Sequence, residues 1–147
     1  MKRGRKGKKN LTPALEDYLK TVYEIVQTQP VARVSTIARR MNVSFPSVTN
    51  AMKRLKELGY VDYEKYGLIQ LTEKGKKRAE VLRSAQVDVK EFLIKVLKLP
   101  EETAVKIACK IEHFMEEELL DRLREFTDII VNVEKEGCDR LLKFLKS

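Results

Sequence analysis

Apolar residues recur along this chain at two different periods, and the changes of period outline its elements. Leu15, Tyr18, Leu19, Val22, Ile25 and Val26 share one face of a helix of 3.6 residues per turn. Thr12 is placed to cap that helix and Pro13 suits its first position. Glu16 and Asp17 favour the positive end of its dipole, and Gln29-Pro30 closes it. Residues 35–58 predict two helices about a tight bend. Ser35 caps the first, with Ile37, Ala38 and Met41 inward; Asn42-Val43-Ser44 makes the turn; Ser44 or Phe45 opens the second, with Pro46 in its first turn. Val48, Ala51, Met52 and Leu55 form the stripe that anchors this second helix. Between Leu58 and Thr72 the period shortens to two. Val, Tyr, Ile and Leu alternate around Lys65-Tyr66-Gly67, which predicts a two-stranded hairpin with Gly67 in the turn.

The helical period then returns for the rest of the chain. Val81, Leu82, Ala85, Val89, Phe92, Leu93 and Val96 mark a long helix over 76–97. Pro100, Glu101 and Glu102 restart the chain for helices over 103–115 and 117–131, and Asn132 is placed to cap a last one reaching Leu145. The expected architecture is mainly α: a winged helix-turn-helix domain over 11–75, then an all-helical domain over 76–147 suited to dimerisation and sensing. A basic arm over 1–10 precedes them. With no apolar residue after Met1, it cannot bury surface. It could track phosphates or a minor groove, or serve only to solubilise.

Charge sharpens this picture. The chain of 147 residues carries a formal net charge of +8. Residues 1–75 hold 15 Lys/Arg against 7 Asp/Glu, whereas 76–147 hold 15 of each, so the whole excess lies in the winged-helix half. That is where a polyanion would bind, and double-stranded DNA is the expected partner. On the outer face of the second helix of the pair, Ser44, Pro46, Ser47 and Asn50 are placed for base edges, with Phe45 or Pro46 against a thymine methyl. Thr49, Lys53 and Arg54 are placed for phosphates, as is Lys65 at the hairpin tip. The plainer reading of each is solvated surface. No apolar run could span a bilayer, and the basic start leads into no secretory signal. Two cysteines, Cys109 and Cys138, make no disulfide framework, which fits a reduced cytoplasm.

The candidate chemistry lies in the second half. His113 is the only histidine. On a continuous helix Cys109, Glu112 and His113 stand at i, i+3 and i+4, so thiol, carboxylate and imidazole share one face within reach of one transition-metal ion. Glu116 lies one turn further on. The alternative is an ordinary buried thiol with a satisfied imidazole. An enzyme is not expected, since one histidine stands without a glycine-rich phosphate loop or a nucleophile–base arrangement.

From Thr12 to Phe126 the sequence resembles the diphtheria toxin repressor and manganese transport regulator family of metal-dependent repressors. The resemblance rests on Thr12-Pro13-Ala14-Leu15-Glu16-Asp17-Tyr18-Leu19, Ser44-Phe45-Pro46-Ser47-Val48-Thr49-Asn50, Leu71-Thr72-Glu73-Lys74-Gly75, Cys109-Lys110-Ile111-Glu112-His113 and Asp121-Arg122-Leu123. It implies a homodimeric repressor of metal-uptake or metal-homeostasis genes, with a metal site joining the first helix to the sensing domain. The implied ligands are Asp17, which matches the manganese branch, and Cys109, Glu112 and His113, which match the iron branch. Because a thiolate favours softer ions, Fe(II) is the expected effector and Mn(II) the next. The positions of a second ion's ligands fall on Gln86 and Lys90, and one manganese-branch ligand falls on Lys20. At most one complete site per subunit is therefore expected. No counterpart of the small C-terminal β-barrel of longer members is expected, which would leave regulation to two domains. The alternative is a winged-helix regulator whose DNA binding ignores metal.

Overall fold

The computed structural model describes residues 11–64, 67–133 and 138–146. The basic arm over 1–10 and Lys65 lie outside them. The chain divides into two compact units between Glu80 and Val81.

The first unit begins with α1 (Pro13–Val26). Thr12 Oγ1 accepts from Leu15 N at 3.3 Å and Pro13 stands in the first turn, as expected. Leu19, Val22 and Ile25 are buried on its inner face, and Tyr23 is buried with them. Next come β1 (Ala32–Arg33), α2 (Val34–Met41), α3 (Phe45–Glu57), β2 (Val61–Tyr63) and β3 (Leu68–Leu71). The sheet is antiparallel and three-stranded in the order β1-β3-β2. The antiparallel pairing of β2 and β3 is the expected hairpin, and Ala32 and Arg33 add a third strand by pairing with Ile69 and Leu68. One expectation is corrected: Ser35 does not cap α2, which opens from Arg33, whose extended backbone continues β1, with no side-chain cap. Pairing with β3 already sets the direction of entry, so a capping hydroxyl is dispensable.

The stripe Val48, Ala51, Met52 and Leu55 is buried, and it joins Leu19, Val22, Ile25, Ile37, Val61, Ile69 and Ala79 in one core. Asn42 ends α2 in the left-handed region at φ 55°, which asparagine tolerates better than most residues. Gly67 has φ 73°, the conformation the hairpin turn requires of it.

Helix α4 (Glu73–Lys95) starts against this unit. Thr72 Oγ1 accepts from Gly75 N at 3.0 Å and donates to the Gly59 carbonyl at 2.7 Å. Glu16 is only 4% exposed. Its Oε1 accepts from Arg78 Nε at 2.8 Å, so this acid serves as an internal anchor and not only as a dipole partner.

The second unit holds the rest of α4, then α5 (Glu101–Ile111), a 3-10 turn (Glu112–Phe114), α6 (Glu117–Val131) and α7 (Asp139–Lys146). Val89 and Leu93 of α4 pack on Ala104 and Ala108 of α5. The two alanines have almost no side chain to hold the helices apart. Phe126 stacks at 6.3 Å from Phe92 and 5.4 Å from Phe144, drawing α6 and α7 together. Arg124 of α6 reaches Asp88 at 2.6 Å and Ser84 at 2.7 Å on α4. One more expectation is corrected: the helix over 103–115 stops at Ile111, where the backbone tightens into the 3-10 turn. Asn132 closes α6, with Nδ2 donating to the Asp128 carbonyl at 2.9 Å, and directly precedes the helical residue Val133. No helix among the described residues is long and apolar enough to cross a membrane.

Candidate metal centre and nucleic-acid interface

In the first unit the core stripe of α3 fixes which side chains face out. Ser44, Phe45, Pro46, Ser47, Asn50, Lys53 and Arg54 are exposed, and Thr49 is half-buried. Ser44 Oγ accepts from Ser47 N at 3.3 Å and lies 2.8 Å from Ser47 Oγ, so both hydroxyls shape the start of the helix. Phe45 is 59% exposed, a large apolar surface at the tip of a helix that otherwise presents small polar groups. Arg54 is paired with Glu57 at 2.8 Å, an exposed contact weak enough for a phosphate to displace. Lys56 donates to the Tyr63 carbonyl at 2.8 Å, tying α3 to the wing.

Arg39 was not singled out from the sequence. It is exposed on α2 and lines a shallow cleft of about 420 Å³ with Ser35, Asn42, Val43 and Phe45. The available signal was a basic residue on the outer face of the first helix of the pair, which in helix-turn-helix proteins generally crosses the DNA backbone.

In the second unit Glu112 and His113 stand together on the 3-10 turn. Glu112 is 1% exposed, and its Oε1 lies 3.9 Å from His113 Nε2. A carboxylate and an imidazole withdrawn from water in one turn are an oxygen and a nitrogen donor of the kind divalent transition metals take. Leaving water is costly for a carboxylate, and a cation offsets that cost. The donor set therefore fits such an ion. Cys109 stands on α5 before the break, so the expected i, i+3, i+4 spacing on a single helix does not apply. It is half-buried, and its Sγ lies 2.6 Å from Gln86 Nε2 of α4. Asp17 belongs to the first unit, half-buried on α1, where its carbonyl accepts from Thr21 Oγ1 at 2.9 Å. Lys90 lies 3.8 Å from Glu101 Oε1. Glu116 is exposed and precedes α6.

A family model described as "Iron dependent repressor, N-terminal DNA binding domain" matches residues 10–69, and one described as "Iron dependent repressor, metal binding and dimerisation domain" matches residues 72–146. The chain belongs to the iron-dependent repressor family. This is the metal-dependent repressor family that the motifs indicated, and its members are DNA-binding transcriptional regulators and not enzymes. An uncharacterised HTH-type transcriptional regulator of Methanocaldococcus jannaschii is 38% identical over 120 residues, 80% of this chain and 95% of that protein. The HTH-type transcriptional regulator MntR of Oceanobacillus iheyensis is 34% identical over 130 residues, 88% of this chain and 85% of its own length. Among solved structures, the manganese regulator SloR superposes with a TM-score of 0.68 at 29% identity. That match covers 80% of this chain but 54% of SloR, so the chain spans about half of that protein.

Proposed function

We propose that this chain is a cytoplasmic, homodimeric repressor of metal-uptake or metal-homeostasis genes, with operator binding switched by a divalent transition metal. The observation that carries this reading is the buried Glu112–His113 pair at 3.9 Å in a chain whose other unit is a helix-turn-helix. Asp17, Cys109, Glu112 and His113 would hold the ion, which when bound supplies a divalent positive charge to nitrogen, oxygen and sulfur donors. Fe(II) is the preferred effector because one donor is a thiolate, with Mn(II) next. At most one site per subunit is complete, since Gln86 and Lys90 occupy the positions a second would need.

The division of labour gives the 11–75 domain the DNA and the 76–147 domain dimerisation and sensing. Val87, Val105, Ile111, Phe114 and Leu119 expose large apolar side chains in the second unit, which suits a surface covered by a second copy. Asp17 rides on the helix that precedes the reading head, whereas its three fellow ligands belong to the sensing helices. Satisfying all four at once restricts the angle of α1, and in a dimer that angle sets the spacing of the two α3 helices on successive major grooves. Without the ion the carboxylates repel and the restriction is lost. Converting a mostly inactive population into a mostly active one takes about 10⁴-fold tighter binding to the competent state. On the operator, Ser44, Pro46, Ser47 and Asn50 meet base edges, while Thr49, Lys53, Arg54 and Lys65 meet backbone. Asn50 reads adenine through its paired donor and acceptor.

The test is a gel-shift titration on a selected operator with Fe(II) or Mn(II), with and without chelator. Metal is expected to raise operator affinity by at least about tenfold, and chelator to reverse it. Affinity indifferent to both would replace this reading with metal-independent regulation.

A further inference from the structure

Cys109 has a neighbour that the metal site as proposed does not use. The buried face of α4 runs through Leu82, Ala85, Val89 and Leu93. Packing Val89 and Leu93 directly on Ala104 and Ala108 brings α5 close enough for Gln86, beside that face, to reach the thiol. Gln86 Nε2 is in contact with Cys109 Sγ, within one unit and across an interface where the buried residues of α5 are alanines. To ligate a cation Cys109 must lose its proton to solvent, and a thiolate can only accept hydrogen bonds. A glutamine amide carries two N–H donors, so it can supply that bond in the ligating state.

We infer that Gln86 is a positioning residue for the Cys109 thiolate: its amide N–H orients the sulfur and withdraws electron density from it, and so sets how strongly the site prefers softer ions over Mn(II). The inference rests on the proposed role of Cys109 as a ligand. Gln86 does not touch the ion. It acts through sulfur, and its effect must appear in the properties of the sulfur–metal bond.

A partner outside the ligand shell typically changes metal affinity by 10–100-fold. Gln86→Leu removes the donor at similar volume. Gln86→Glu keeps the shape but turns the donor into an acceptor that repels a thiolate. Both are measured as full chains loaded with Co(II), after circular dichroism confirms native helix content. The native protein is expected to show a near-ultraviolet thiolate-to-cobalt charge-transfer band. In Gln86→Leu the band should move to lower energy, because a sulfur relieved of its hydrogen bond gives up an electron more easily. In Gln86→Glu it should weaken or vanish. Competition titrations should show changes of up to about 10–100-fold, with the preference for Co(II) over Mn(II) widening in Gln86→Leu, whose freed sulfur donates more strongly, and narrowing in Gln86→Glu, which pushes the sulfur off the ion. A native band unmoved by either substitution, with unchanged metal preference, overturns the role of Gln86 alone. A native Co(II) complex without any thiolate band removes Cys109 from the ligand set, and this inference with it.

Discussion

Replacing His113 by glutamine or alanine is expected to abolish the response of operator binding to metal while leaving metal-free DNA binding as it was. His113 supplies the sole imidazole in the chain, and its side chain is 5% exposed, so no other nitrogen ligand can take its place. Loss of a partner outside the ligand shell already costs about 10–100-fold in metal affinity, and loss of a ligand should cost at least the upper end of that range. The groups assigned to DNA lie on α3 and the wing, in the other unit, so the residual affinity measured in chelator should not move. Glutamine fills more of the buried space than alanine and guards against a merely unfolded variant. Isothermal titration with Mn(II) gives the affinity, and fluorescence anisotropy on labelled operator gives the response. A metal response of native size in either variant would take His113 out of the site.

The second large effect concerns the joint between wing and α4. Gly75→Ala is expected to destabilise the first unit by about 3 kcal/mol. A Cβ built on Gly75 falls 1.9 Å from the Tyr60 carbonyl oxygen and 2.9 Å from its carbon. Those are backbone atoms. They cannot swing aside as a side-chain tip would, and the Tyr60 carbonyl also accepts from Thr72 N at 3.2 Å, within the same joint. The sign is what makes the prediction sharp, since glycine to alanine inside a helix ordinarily stabilises by about 1 kcal/mol. For a unit of this size 3 kcal/mol corresponds to a fall in Tm of about 12–24 °C, readable by calorimetry. An unchanged or raised Tm would show that α4 does not start against Tyr60.

Much of this fold was legible because its strongest signals are local. The α3 stripe follows from spacing alone, and so do the Thr12 cap, the Gly67 turn and the limits of α6 (Glu117–Val131). What escaped depends on residues far apart in sequence. Ala32 and Arg33 form a strand only because β3, more than thirty residues later, offers them partners. Glu16 reads as a helix-start acid until Arg78 reaches it from α4. The candidate site divides the same way. Glu112 and His113 are neighbours in the chain and stay together in space, whereas relating Cys109 to them by helical spacing assumed a helix that ends at Ile111. Gln86 stood out in the sequence only as a position where a ligand was missing, and packing of Val89 and Leu93 on two alanines is what gives it a role.

The central claim is a coupling between one cation and one stretch of DNA, and coupling of this kind must be reciprocal. The most direct test is therefore the affinity for Mn(II), the more air-stable of the two favoured ions, measured on the same preparation with and without saturating operator. The account predicts that operator tightens Mn(II) binding by the factor by which Mn(II) tightens operator binding. Equal Mn(II) affinities in the two states would contradict it.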